Sequence, residues 1–256
     1  MAVKIHHSVI GQGSDVLLLH GLFGMGSNLG SLARALQDEY RVHTIDLPNH
    51  GRSQWLLEAG ITALANAIAQ WMDECGVSSA ALVGHSLGGK VAMQLALSQP
   101  ARVNALVVAD IAPVDYPSRH NEVFAALLAV AGAGCRSRAE AGKLMASYLQ
   151  DEGTIQFLLM SLRKDENGTY NWRFNLAGLE DNYAAVREAP AANGCYDQRV
   201  LFVKGADSDY ILPEHEQPIR ALFPQSQVRV MADCGHWLHA QQPRLFNSIV
   251  KGFLAE

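Results

Sequence analysis

The chain predicts a mainly parallel α/β fold with helices on both faces of its sheet, and three observations carry that reading. Largely apolar runs recur at residues 16–19, 80–83, 103–109 (broken by Asn104) and 200–204 (ending in Lys204), the pattern of strands buried on both faces. Segments of helical spacing separate most of them, which is how parallel strands are connected. The strand-like runs pass into loops rich in Gly, His, Asp or Ser, at the strand ends where such sheets bind ligands. With 256 residues, 49% of them hydrophobic and 18% charged, the chain can bury a full core in one domain with an insertion.

Taken in order, residues 3–9 alternate loosely and predict an antiparallel edge strand, with its turn at residues 11–14. The strand at 16–19 runs into His20-Gly21-Leu22-Phe23-Gly24, a loop whose backbone N–H groups could face a ligand. Ser27 and Asn28 look like a helix cap and residues 29–38 like the helix. A strand at 41–45 leads into Asp46-Leu47-Pro48-Asn49-His50-Gly51-Arg52-Ser53, a turn-rich loop that reads as structural. Residues 62–75 have helical spacing and Gly76 stops them. After the strand at 103–109, strand signal vanishes from 117 to about 198, where amphipathic segments at 122–130, 139–149, 154–162 and 176–187 replace it. Strands resume at 200–204 and 228–231. A closing helix beginning near Pro243 should turn Leu245, Phe246, Ile249, Val250, Phe253 and Leu254 inward.

The chemistry is concentrated at Gly84-His85-Ser86-Leu87-Gly88, between the strand at 80–83 and a helix from Leu87. A strand turning this abruptly into a helix holds its middle residue in a strained conformation with the side chain proud of the sheet. It also places that residue at a helix N-terminus, where developing negative charge is favoured. A serine so presented needs a base to become a nucleophile. His236, in a glycine-flanked loop after the last strand, is the strongest candidate. Backbone N–H groups of Leu87 and Leu22 are the expected oxyanion donors. Phe23, His85 and Trp237 are expected to border the substrate, although His85, diverging from Ser86 in the sharp turn, also reads as structural. Cys234, His236 and His239 crowd into six residues without a second cluster, a poor zinc signature.

The His20 loop, the Asp46 loop, Gly84-His85-Ser86-Leu87-Gly88-Gly89 and Gly235-His236 together, in this order and separation, resemble the α/β-hydrolase family over nearly the whole chain. The resemblance implies an α/β-hydrolase core at 1–116 and 199–256, and a helical cap at 117–198 laid over the strand ends. It places the base at His236. Residues 157–160 are too apolar for open solvent, and some should line an acyl pocket. The acid is open. The common family pattern sets it after the penultimate strand as Gly-x-x-Asp, but the third residue after Gly205 is Ser208, flanked by Asp207 and Asp209. A branch of small YbfF-like bacterial esterases and thioesterases uses the preceding strand end, and residues 22–24, 110–114, 171–175 and 235–237 look like that branch. Asp110 is therefore the first choice, Asp209 the alternative and Asp207 the third.

The expected activity is two-step acyl transfer on short- to medium-chain esters, or on thioesters such as acyl-CoA, with no cofactor and no metal. A perhydrolase, a lactonase or a carbon–carbon hydrolase would use the same residues, and a non-catalytic receptor could keep the scaffold. Lys90, Arg119 and Arg173 could meet a charged leaving group but read as surface charge. Net charge is −5 with no basic cluster, which argues against nucleic acid. Residues 1–13 carry no apolar leader-like run and no apolar span of membrane length occurs. The four cysteines read as free thiols. A cytoplasmic protein with a small-molecule substrate is the expectation.

Overall fold

The computed structural model describes residues 3–256; the first two residues of the expected core segment 1–116 lie outside the described residues. β1 (His7–Ile10), β2 (Ser14–Leu19), α1 (Gly30–Leu36), β3 (Tyr40–Ile45), α2 (Ile61–Glu74), β4 (Ala80–His85), α3 (Leu87–Ser98) and β5 (Val103–Ala109) form the first half. Then come α4 (Asn121–Ala133), α5 (Arg138–Met145), α6 (Glu152–Met160), β6 (Leu162–Lys164), β7 (Tyr170–Trp172), α7 (Leu176–Asp181) and α8 (Tyr183–Arg187). β8 (Val200–Gly205), α9 (Glu216–Leu222), β9 (Ser226–Met231), α10 (Leu238–Gln241) and α11 (Pro243–Ala255) close the chain.

Seven strands make one sheet in the order β1-β3-β2-β4-β5-β8-β9, parallel except for β1, which pairs antiparallel with β3 at the edge. This is the α/β-hydrolase fold that the motifs imply. Alternation along each strand divides the core in two. Leu17, Leu19, Leu82, Leu106 and Val108 pack with α2 and α3 on one face. Val16, Leu18, Val83, Val107 and Val203 pack with α1 and α11 on the other. β4 lies at the centre with all six residues buried, so its end is the best-anchored point of the sheet. The strand order turns back between β2 and β4, where such sheets open a ligand crevice. Among the described residues no helix is long and apolar enough to cross a membrane.

Several elements differ from their sequence expectation. β1 begins at His7 rather than residue 3, because the carbonyls of Lys4 and His6 accept from Gln54 and Asp46 in the loop after β3. The helix expected at 29–38 opens as a tight turn over Gly26–Leu29 and becomes α-helical only at Gly30. The stretch 117–198 is not free of strands: β6 and β7 pair as a hairpin. Two three-residue strands are too short for a readable alternation. Their turn is made by Asp165, whose carboxylate accepts from the N–H groups of Asn167 and Thr169 at 2.9 Å each. The segment at 176–187 divides into α7 and α8 at Asn182, whose amide is tied to Ala59 N–H at 2.8 Å and Leu57 C=O at 2.9 Å instead of facing solvent. In α11, Phe246, Val250, Phe253 and Leu254 form the buried stripe, while Leu245, one residue off it, is exposed. Met160, expected within the apolar stretch 157–160, is also exposed.

Candidate active site

Ser86 stands between the last residue of β4 and the first of α3 with φ 52° and ψ −118°. A non-glycine residue held there stores about 1–3 kcal/mol of strain. The neighbours over-determine it. Ser86 N–H donates to Ala109 C=O at 3.0 Å, and its own carbonyl accepts from Lys90 N–H at 3.1 Å. A Cβ on Gly84 would lie 2.2 Å from Gly88 O, and one on Gly88 would lie 2.2 Å from Leu19 O. Only glycine at both positions lets strand, turn and helix close so tightly. Leu87 opens α3, so its N–H belongs to the first turn, where no intrahelical acceptor exists.

The His236 ring reaches this turn from the loop after β9. Its Nδ1 donates to Asp110 Oδ2 at 2.8 Å, which leaves Nε2 as the unprotonated nitrogen, the form a base needs. Asp110 is fully buried at the end of β5 and has φ 53°, a left-handed conformation that Asp tolerates better than most residues. Its carboxylate also accepts from Gly205 N–H at 3.0 Å and from Ser208 Oγ. The two aspartates after β8 lie elsewhere. Asp209 pairs with Arg119 at 2.8 Å with its side chain 70% exposed, and Asp207 is exposed. β5 and β8 are paired neighbours, so their ends open onto the same place. A carboxylate from β5 occupies it, and Ser208, three residues past Gly205, supplies a hydroxyl donor from β8.

Three further histidines brace the site. His85 Nε2 donates to the His236 carbonyl at 2.9 Å. His20 Nδ1 donates to Gly21 C=O while Nε2 accepts from Leu47 N–H. His50 Nε2 accepts from Phe23 N–H at 3.1 Å, so that amide is already occupied and Leu22 is left as the neighbouring donor. The Asp46 loop is a brace too: Asp46 accepts from Gly26 and Arg52 N–H groups. Burial pulls His20 down to about 4, His50 to about 3, and His239 and His120 each to about 4, and leaves His85 well below the ordinary range. All are neutral at pH 7.

A pH effect on stability follows. In the unfolded chain these rings take up protons near pH 6.5, whereas in the folded protein His20, His120 and His239 do so only near pH 4, His50 near pH 3, and His85 well below the ordinary range. Acid therefore favours unfolding, and the stability present above pH 6.5 is lost as pH falls toward 4. The melting temperature should drop between pH 6.5 and 5, before most carboxylates titrate. A level or rising melting temperature across that interval would contradict the assignment of these rings as buried and neutral.

Of the residues expected to border the substrate, Phe23, His85 and Trp237 all line a cavity of about 250 Å³ with Ser86 and His236. Phe157 of α6 closes it by packing on Trp237, ring centres 4.1 Å apart. Leu22 lines it as well. Two residues not singled out for the site in the sequence also belong to it: Tyr210, stacked on the His236 ring at 3.9 Å, and His120, whose ring meets Tyr183 Oη at 2.6 Å. Neither sits in a motif; only their place just after β8 and just before α4 hints at them. Lys90 is not surface charge but 2% exposed. Arg119, read as surface charge, borders the Ser86 cavity while pairing with Asp209, and Arg173 lines neither cavity that Ser86 touches. Cys234 is buried, and among the described residues no three His, Cys, Asp or Glu side chains are grouped to hold a metal ion.

The comparisons agree with this architecture. Residues 16–249 match the model of the Alpha/beta hydrolase family. Esterase YbfF of Escherichia coli is 37% identical over 94% of this chain and 93% of its own length. The sn-1-specific diacylglycerol lipase ABHD11 of Mus musculus is 36% identical over 94% of this chain and 80% of its own. The solved structure of a marine microorganism esterase superposes with a TM-score of 0.95 at 31% identity, covering 98% of this chain and all of that one. A serine-bearing turn after the central strand, in a sheet of this order and with relatives this close, leaves one assignment: the chain belongs to the alpha/beta hydrolase family.

Proposed function

We propose that the protein is a serine carboxylesterase that hydrolyses short- to medium-chain acyl esters, and acyl thioesters such as acyl-CoA, through an acyl-enzyme on Ser86. The observation that carries this is the His236–Asp110 hydrogen bond of 2.8 Å, made by an imidazole that borders the same cavity as Ser86. That the chain is an ester-hydrolysing enzyme accords with the esterase and lipase names of its relatives.

Ser86 Oγ attacks the carbonyl carbon as His236 Nε2 takes its proton. Asp110 holds the imidazole in the required tautomer and stabilises the imidazolium. The oxygen, now negative, is met by the backbone N–H groups of Leu22 and Leu87, each donor of this kind worth about 3–4 kcal/mol of barrier. His236 then gives its proton to the leaving oxygen or sulfur, the C–O or C–S bond breaks, and the acyl group stays on Ser86. Water, deprotonated by the same ring, releases the acid. No step calls for a cofactor. Residues 117–198 act as a cap over the strand ends, gripping the His20 loop through Ser161 Oγ, which donates to Phe23 C=O at 2.7 Å. Four unpaired cysteines accord with a reducing, cytoplasmic setting.

Turnover of p-nitrophenyl butyrate, together with labelling by a fluorophosphonate and mapping of the modified peptide, tests the reading. One equivalent of label on Ser86, with activity lost in proportion, is expected. Folded protein that neither turns over the ester nor takes the label is a non-catalytic receptor on this scaffold.

A further inference from the structure

Ser86 borders a second chamber besides the one shared with His236. The larger, about 250 Å³, is walled by Phe23, Val123, Phe157, Leu158 and Trp237. The smaller, about 40 Å³, is bounded by Leu22, Leu87, Ile111, Tyr116 and Val186. His236 borders only the larger, and Leu87 only the smaller. At about 10–15 Å³ for each water-sized group, the smaller chamber has room for roughly three non-hydrogen atoms.

This asymmetry fixes the direction in which an ester must lie, given the mechanism proposed above, on which the inference rests. The proton on His236 has to reach the leaving oxygen within hydrogen-bonding distance. The alcohol half therefore occupies the chamber that His236 borders. The carbonyl oxygen is claimed by the Leu22 and Leu87 N–H groups. The acyl chain is the substituent left, and the small chamber is the other space that Ser86 borders among the described residues.

One wall of that space is also pinned. Lys90, a buried residue of its lining, donates through Nζ to the carbonyls of Val114 at 2.8 Å, Arg187 at 2.6 Å and Glu188. Val114 lies where the chain leaves the core for the inserted helices, and Arg187 and Glu188 lie where it returns. One ammonium thus pins both ends of the insertion, and with them the wall that carries Val186. Burial pulls that ammonium down to about 7, against the opposing pull of the Asp115 and Glu188 carboxylates.

We infer that the enzyme divides its substrate by size: an acetyl to butyryl group in the chamber beneath Val186 and Ile111, and a bulky apolar or aromatic alcohol in the chamber walled by Phe157 and Trp237. Val186 sets the acyl limit and Phe157 the preference for the alcohol.

Two ester series test this. Across p-nitrophenyl acetate, butyrate, hexanoate and octanoate, kcat/KM should fall about ten-fold or more beyond butyrate. Across methyl, butyl and hexyl acetate, whose leaving groups differ little in acidity, it should rise about ten-fold or more with alcohol length, followed by pH-stat. Val186→Ala should carry the acyl optimum to hexanoate and keep the ratio of hexyl to methyl acetate. Phe157→Ala should flatten the alcohol series and keep the ratio of butyrate to octanoate. A kcat/KM that climbs through octanoate beside a level alcohol series would overturn the division, as would a Val186→Ala protein whose gain falls on the alcohol side. Fluorophosphonate labelling of Ser86 in the same samples separates the two levels. Labelled enzyme with the inverted profile refutes only the division of the chambers, whereas unlabelled, inactive protein refutes the mechanism and the division together.

Discussion

Exchange of Asp110 for Asn should lower kcat by about four orders of magnitude, while Asp209→Asn leaves it within a few-fold of the parent. The difference rests on which face of the imidazole each carboxylate can reach. Asp110 accepts from His236 Nδ1 at 2.8 Å in a fully buried setting. An Asn there can turn its NH₂ toward Nδ1, which then has to accept, so the ring carries its proton on Nε2 and cannot take the one on Ser86. Asp209 holds only Arg119, in an ion pair with its carboxylate largely in solvent, where such pairs are worth at most about 1 kcal/mol. The measurement is kcat for p-nitrophenyl butyrate in all three proteins, with circular dichroism to show that each is folded. Near-parental turnover in Asp110→Asn beside a collapse in Asp209→Asn would transfer the role to the strand end after β8.

Ser86→Ala should lose about six orders of magnitude in kcat and all fluorophosphonate labelling. What survives is the smaller acceleration supplied by oriented backbone donors and binding alone. The same position allows a second readout that catalysis does not touch. Ser86 is held at φ 52°, and alanine keeps the Cβ that makes this conformation costly. Glycine does not. Ser86→Gly should therefore be more stable than Ser86→Ala by about 1 kcal/mol, the reverse of the ordinary order for these residues. Urea denaturation of the two inactive proteins measures it. Alanine proving the more stable would mean that the turn is relaxed, and a Ser86→Ala protein that cleaved activated esters like its parent would end the proposed mechanism.

Much of the site could be read from the chain because its parts are local. The glycines at 84 and 88 report a turn that only they permit, and the apolar run before them reports a strand buried on both faces. The His20 and Asp46 loops read as turns for the same reason, and the Gly235–His236 loop is marked by its place after the last strand. Residues whose meaning depends on distant neighbours were harder. Lys90 reads as surface charge because lysine nearly always is; three carbonyls, two of them about a hundred positions away along the chain, make it a buried clamp. The hairpin at β6 and β7 is not legible in the sequence because three-residue strands show no period. The break at Asn182 is not legible either, because the loop that holds its amide comes from residues 57–59.

The sequence by itself determined the succession of the seven strands of the main sheet, the turn that strains Ser86, and the late histidine, since each follows from backbone sterics or apolar spacing within a few residues. Three aspartates stood open as partners of that histidine. Tertiary structure alone decided which one faces it, because the choice turns on β5 lying beside β8, so that two strand ends far apart in sequence open onto one point. The two unequal chambers around Ser86 have the same origin: they are lined in part by Val123, Phe157 and Val186, far along the chain from Ser86, and no run of residues spells out a space between distant segments.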